Sequence, residues 1–268
     1  MRGGWQGAPC APLPPAHALV RMAHPAERKV WNALPQYVPA PSHRTTNRYQ
    51  NKARMPTPRP PIPLADYQRI FRVLKTVLDA TDADTPHPSV FFSVAGAHLV
   101  EQIYKKKCQP VAGAAFYRMD DAAGTILSFA DRNAAHDALS SDKGFHCWIL
   151  CDGHVIDFTA PLFRESLQAR GVAGNHARKM FQKPLQSLAD SPLLMREPGD
   201  FYMLPNVDLT REILEKFFAR DDAADLLNVC THWYRKPPKD IPREASMARN
   251  DGSETRMTLS GISLVGAW

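Results

Sequence analysis

The sequence has few cysteines, and none of them follows a pattern that indicates a metal or disulfide scaffold. It contains 5 cysteines in 268 residues, an odd number without a C-x-x-C pair. This argues against a zinc ribbon and a disulfide framework and favours the cell interior, so we expect a cytoplasmic protein. The 10 histidines form no H-E-x-x-H motif and no close Cys/His cluster. We therefore expect neither a metal nor a cofactor.

Long apolar runs are also missing. No stretch of about 18 apolar residues occurs, which predicts that the chain has no membrane span. Residues 18–22 are too short, and too interrupted by Arg21, for the apolar part of a secretory signal. The glycines at 171–174 lack the following Lys-Ser/Thr of a phosphate-binding loop.

Acidic residues are scarce in the first 54 positions. These hold eight Lys or Arg and one acidic residue, a net charge of +7, which leaves about −1 for the other 214 residues. The body is nearly neutral, which argues against nucleic-acid binding by the folded part. Residues 1–63 carry 13 of the 24 prolines without lasting periodicity, so we expect a disordered tail followed by a single domain at 64–268. A targeting peptide and a true start at Met55 are alternatives for this tail.

The strongest local pattern lies at residues 145–158, where two apolar runs flank Asp152-Gly153. Asp-Gly is a preferred loop of a two-residue type I′ β-hairpin. With this loop Cys151 faces His154, and His146 and Asp157 become diagonal neighbours on one face. A carboxylate that binds one imidazole nitrogen leaves the other free to take a proton from a nucleophile. The hairpin therefore predicts half of a catalytic triad, with a structural hydrogen bond as the alternative.

Helical periodicity and strand composition indicate an α+β chain around this hairpin. A helix is expected at 64–80, followed by a buried helix at 90–107 with Ser89 as its N-cap and a strand at 109–119. The C-terminal residues 256–268 alternate weakly and are expected to close a sheet edge. The other expected elements are a strand at 125–130, a helix at 163–170, a strand at 200–204 and helices at 208–218 and 223–234.

Two resemblances extend this reading. The segments at 89–97, 110–113, 146–148 and 155–157 give residues 66–160 the chain order of the papain-like and transglutaminase-like thiol enzymes, with a buried helix before antiparallel strands that carry His and then Asp. Residues 66–268 resemble more closely the bacterial family DUF2026, a domain of unknown function. The motifs that fit it are Phe-His-Cys-Trp at 145–148, Ile-Asp-Phe-x-Ala-Pro at 156–161, Lys-Met-Phe-Gln-Lys at 179–183, Gly-Asp-Phe at 199–201 and Gly-Ala-Trp at 266–268.

The resemblance implies a papain-like topology, with a buried N-terminal helix on an antiparallel sheet and a cysteine nucleophile at the helix start. This chain instead has Ser89 there, with Ser93 one turn on. Three interpretations follow. Ser89, His146 and Asp157 form an active triad for acyl transfer or amide hydrolysis; the site is degenerate, and the domain binds a peptide or small amide without catalysis; or Cys108 or Cys147 is the nucleophile. We favour the non-catalytic binding domain.

Overall fold

The computed structural model describes residues 59–81, 87–121, 123–132, 138–174, 176–248 and 252–268. The described residues all belong to one compact unit. The expected disordered tail, the targeting peptide and the alternative start at Met55 concern mainly residues 1–58, which lie outside the described residues. Ile62, inside the segment assigned to the tail, is fully buried and exchanges two hydrogen bonds with the Gln182 side chain.

Two helices begin the folded unit, α1 (Leu64–Ala80) and α2 (Pro88–Tyr104). The bounds of α1 confirm the first predicted helix. Helix α2 starts two residues earlier than predicted, because Pro88 has the fixed φ that suits a first helical position. Its N-cap is His87, so the prediction that Ser89 caps the helix was wrong. The helix ends before Lys105, which has a left-handed backbone conformation with a φ of 57°.

The strands of the central part of the chain are β1 (Cys108–Arg118), β2 (Ile126–Phe129), β3 (Asp131–Arg132), β4 (Ala138–Leu139), β5 (His146–Cys151), β6 (His154–Asp157), β7 (Phe181–Pro184) and β8 (Phe201–Pro205). Six of them form an antiparallel sheet in the order β2-β1-β5-β6-β7, with β8 paired to the other edge of β1. Strand β1 is central because β5 pairs with its first half and β2 with its second half along one edge, while β8 pairs with the other edge. Strands β3 and β4 form a separate short pair.

Three further helices confirm the predicted ones within a residue at each end. They are α3 (Phe163–Ala169), α4 (Val207–Phe218) and α5 (Ala223–Trp233). The C-terminal segment differs from its prediction, because β10 (Glu254–Thr258) pairs with β9 (Glu244–Ala248) in a two-stranded sheet of its own. An isolated parallel bridge between Ala267 and Met180, together with a hydrogen bond from the Val265 N–H to the Arg178 C=O, ties the C-terminal residues to the segment that leads into β7.

Apolar side chains cover both faces of the main sheet. Helices α1, α2, α4 and α5 pack on the face that carries Cys147, Ile149 and Cys151, and α3 packs on the face that carries Trp148 and Val155. A Cβ on Gly96 of α2 would lie 2.5 Å from the Phe158 ring, so this glycine allows the helix to approach Phe158 closely. The α+β class and the buried helix on an antiparallel sheet are thus confirmed.

Candidate functional site

The β5–β6 hairpin has the predicted register. Asp152 and Gly153 have positive φ values of 47° and 70°, as a type I′ turn requires, and Cys151 faces His154 across it. His146 and Asp157 therefore project from the same face. His146 Nε2 lies 2.8 Å from Asp157 Oδ2, which confirms the predicted contact between the two side chains.

The Asp157 carboxylate has three hydrogen-bond donors around it. Besides the imidazole, the Tyr117 hydroxyl donates to Oδ2 at 2.6 Å, and the Thr159 main-chain N–H donates to Oδ1 at 2.8 Å. The Tyr67 hydroxyl donates to the Asp157 main-chain oxygen. Burial, and then the neighbouring Asp157, raise the pKa of Tyr117, so this hydroxyl stays protonated and donates. Because a carboxylate only accepts, Nε2 of His146 carries the proton, and in the neutral ring Nδ1 is an acceptor.

Aromatic rings enclose the imidazole. His146 is 1% exposed and Asp157 is 0% exposed. The Phe129 ring stacks on the imidazole with centroids 4.5 Å apart, and the rings of Tyr117 and Phe163 lie at 5.7 and 5.9 Å. The pair is therefore held in one orientation inside the apolar layer beneath α3.

The Ser89 hydroxyl is hydrogen-bonded to the main chain of β5 and not to the imidazole of His146. Its Oγ accepts a hydrogen bond of 3.2 Å from the Cys147 main-chain N–H, and no hydrogen bond joins it to His146 or Asp157 within the described part of the chain. Strand β6 does not pair with β5 at this N–H, because the β5–β6 pairing ends at Ile149 and Ile156. Ser89 thus completes the hydrogen bonding of β5. Ser93, one turn further along α2, is also buried.

The cysteines considered as nucleophiles do not approach the imidazole. Cys147 follows His146 on the strand and therefore points to the opposite face, where burial raises the pKa of its thiol. Cys108 lies at the other end of β1, directly opposite Cys151. A raised pKa leaves Cys147 protonated and unreactive near neutral pH.

A surface groove that the sequence did not indicate runs between α5 and β9. Its volume is about 410 Å³, within the range of ligand sites. Four residues at helical spacing, Asp225, Asn228, Val229 and His232, form one wall, and all five residues of β9 form the other. Neighbouring strand residues point to opposite faces, so a wall made of five consecutive residues is the edge of the strand.

The described residues offer neither a metal-binding cluster nor a membrane-spanning helix. No group of three or more His, Cys, Asp or Glu side chains among them could hold a metal ion. Within the same residues, no helix combines the length and the apolar character needed to cross a membrane.

Comparisons with known proteins place the chain in a family. A solved structure described as "The crystal structure of genomics APC5867" is similar, with 34% sequence identity and a TM-score of 0.70, and the match covers 78% of this chain and 98% of that chain. No curated protein matches the sequence. The model of the family described as "Protein of unknown function (DUF2026)" matches residues 63–268. The resemblance noted in the sequence is therefore confirmed for this family, and the chain belongs to DUF2026.

Proposed function

We propose that this protein is a non-catalytic domain that binds an extended peptide along the open edge of β9. The observation that carries the proposal is the groove in which that edge faces the helical wall of α5. An extended chain that enters such a groove adds a strand to the sheet through main-chain hydrogen bonds. The opposite wall then offers side chains that contact every second residue of the peptide.

The register of β9 and β10 fixes which main-chain groups are available. Leu259 N–H donates to Arg243 C=O, so these two residues form a hydrogen-bonded pair. Hydrogen-bonded pairs alternate along an antiparallel ladder, which directs the main-chain groups of Glu244, Ser246 and Ala248 away from β10. They have no hydrogen-bond partner within the described part of the chain. The open edge therefore presents three N–H and three C=O groups to the groove.

A Ser246→Pro variant is expected to weaken peptide binding about ten-fold or more. Proline removes one outward N–H and fills the space beside it, while an edge strand tolerates proline where the N–H is not used in the sheet. The probes are peptides selected from a phage-displayed random heptapeptide library with the wild-type protein as bait. Their dissociation constants are measured for both proteins by fluorescence polarisation.

Arg256→Pro is the matched control. Arg256 lies directly opposite Ser246, but its main-chain N–H points to the far edge of β10, away from the groove. This variant should bind the selected peptides as the wild type does. Equal affinity of Ser246→Pro and wild type, or the failure of the library to yield any binding peptide, would contradict the proposal.

The non-catalytic assignment is supported by the way the predicted triad is divided. The Ser89 hydroxyl binds a main-chain N–H, whereas His146 and Asp157 lie under aromatic rings on the other side of the sheet. The order of helix, His strand and Asp strand supports a thiol-enzyme ancestry with papain-like topology as part of the proposal. The four free cysteines among the described residues favour a cytoplasmic location.

A second candidate is acyl transfer or amide hydrolysis by Ser89, His146 and Asp157. The 2.8 Å contact between His146 and Asp157 favours it, because such a carboxylate orients a catalytic imidazole. In this candidate Ser89 is the nucleophile and His146 is its base, and no cofactor takes part.

Alkylation of a Ser89→Cys variant by iodoacetamide near pH 6 separates the two candidates. A free thiol with a pKa of about 8.5 is barely ionised there, so rapid labelling would need activation by the imidazole. We expect slow labelling that does not change when His146→Ala is added. Peptide mass spectrometry measures labelling at position 89, with Ser93→Cys in the same helix as the control. Fast labelling that depends on His146 would support the enzyme.

A further inference from the structure

Two cysteines face each other at the start of the β1–β5 ladder. Cys108 is the first residue of β1, Cys151 is the last residue of β5, and the register pairs them directly. Both side chains therefore project from the same face of the sheet. Neither the proposed peptide groove nor the His146–Asp157 pair includes them.

Cys108 and Cys151 form a pair that exchanges no main-chain hydrogen bonds, because such bonds alternate along an antiparallel ladder. The two-residue turn makes Cys151 and His154 a hydrogen-bonded pair, which directs the main-chain groups of Cys151 towards β6. Consistently, the Cys108 main-chain N–H donates to the Glu101 side chain at 3.0 Å. In such pairs the Cα atoms lie roughly 4.5 Å apart, and disulfides span Cα distances of about 4.4–6.8 Å. A disulfide would therefore form here without moving the strands.

The surroundings make one sulfur the better nucleophile. A hydrogen bond from the Cys108 thiol lowers the pKa of Cys151, and Lys106 acts in the same direction, against burial and the carboxylates of Asp152 and Glu101. The hydrogen bond to Cys151, and then burial, raise the pKa of the Cys108 thiol, which keeps the remaining proton. Cys108 is partly exposed and Cys151 is 1% exposed, so a small reagent is favoured over a bulky disulfide.

We propose that Cys108 and Cys151 form an oxidation site that reduces a small hydroperoxide and closes to a disulfide. The Cys151 thiolate attacks the terminal peroxide oxygen, the O–O bond breaks, and Cys151 becomes a sulfenic acid while the leaving oxygen takes a proton. The Cys108 sulfur then attacks the Cys151 sulfur and its proton leaves with the hydroxyl as water. With hydrogen peroxide, two thiols lose two electrons and the peroxide becomes two waters.

The test treats the full chain with hydrogen peroxide, blocks the remaining thiols with iodoacetamide and maps the peptides by mass spectrometry. We expect a Cys108–Cys151 linked peptide, while Cys147 and Cys230 remain alkylatable after unfolding. Disulfide formation should raise the melting temperature by about 5–10 °C, reversed by dithiothreitol, because it closes a long loop. Glutathione disulfide, which is bulkier, should give little linked product over the same time.

Single substitutions identify the order of the steps. Cys108→Ser should halt the reaction at the Cys151 sulfenic acid, which dimedone traps, whereas Cys230→Ser should still form the linked peptide. Circular dichroism confirms that each variant is folded before oxidation. The proposal is overturned if the wild type gives no linked peptide, or if Cys151 oxidises no faster than the buried Cys147.

Discussion

Replacing Asp157 with alanine is expected to lower the free energy of unfolding by about 3–5 kcal/mol. The substitution leaves three buried donors without an acceptor: His146 Nε2, the Tyr117 hydroxyl and the Thr159 N–H. None of them can turn to water, because the site lies between the sheet and the ring of Phe163. Urea unfolding of the purified protein, followed by circular dichroism, measures the loss.

Asp157→Asn should cost less, about 1–2 kcal/mol, because an amide keeps the shape of the carboxylate and one acceptor for the Thr159 N–H. Asp79→Ala is the exposed control. Asp79 pairs with Lys75 on the surface of α1, and its loss should change stability by about 0.5 kcal/mol or less. If Asp157→Ala were no more destabilising than Asp79→Ala, the hydrogen-bond network described for His146 could not hold the hairpin.

Gly113→Ala is expected to destabilise the fold by about 3 kcal/mol or more, since overpacking against main chain leaves no side chain to move aside. A Cβ at Gly113 would lie 2.2 Å from the Leu204 main-chain oxygen and 3.0 Å from the Pro205 Cα. Gly113 pairs with His146 on one side and with Pro205 on the other. The strain would therefore separate β8 from β1 next to the buried histidine.

Hydrogen exchange distinguishes this separation from a general loss of stability. Amides of β8 should exchange faster in Gly113→Ala, while those of the β5–β6 hairpin keep their protection at low denaturant. Gly261→Ala is the matched control, because a Cβ there would meet nothing within 4 Å. A fully stable Gly113→Ala protein with protected β8 amides would contradict the close approach of the two strands.

Local sequence patterns predicted the β5–β6 hairpin and the first helix. The Asp-Gly turn set the register of the hairpin, and with it the contact between His146 and Asp157, because alternation along two short strands leaves no other arrangement. Helical periodicity gave the bounds of α1, because the spacing of apolar residues along a helix is also a local pattern. The start of α2 was misplaced because Ser and Pro are both favoured near a helix N-terminus, and proline took the first helical position.

Contacts between distant segments could not be predicted. Tyr117, the second donor to the Asp157 carboxylate, is 40 residues away in sequence, and Ser89 is 58 residues from the N–H that it binds. Periodicity describes which face of an element is apolar but not which element covers it. Periodicity could not predict the groove between α5 and β9 either, because one wall is an ordinary amphipathic helix and the other is a strand edge.

The pairing of β1 with β8 has a consequence for synthesis of the chain on the ribosome. Tyr117 faces Phe201, and Gly113 faces Pro205. One edge of the central strand β1 therefore stays unpaired until β8, which is synthesised at least 84 residues later, has been made. At about 5–20 residues per second, the delay is roughly 4–17 s. During that interval the helices α1 and α2 and the β5–β6 hairpin can already assemble, while the apolar edge from Gly113 to Tyr117 is open to other nascent chains.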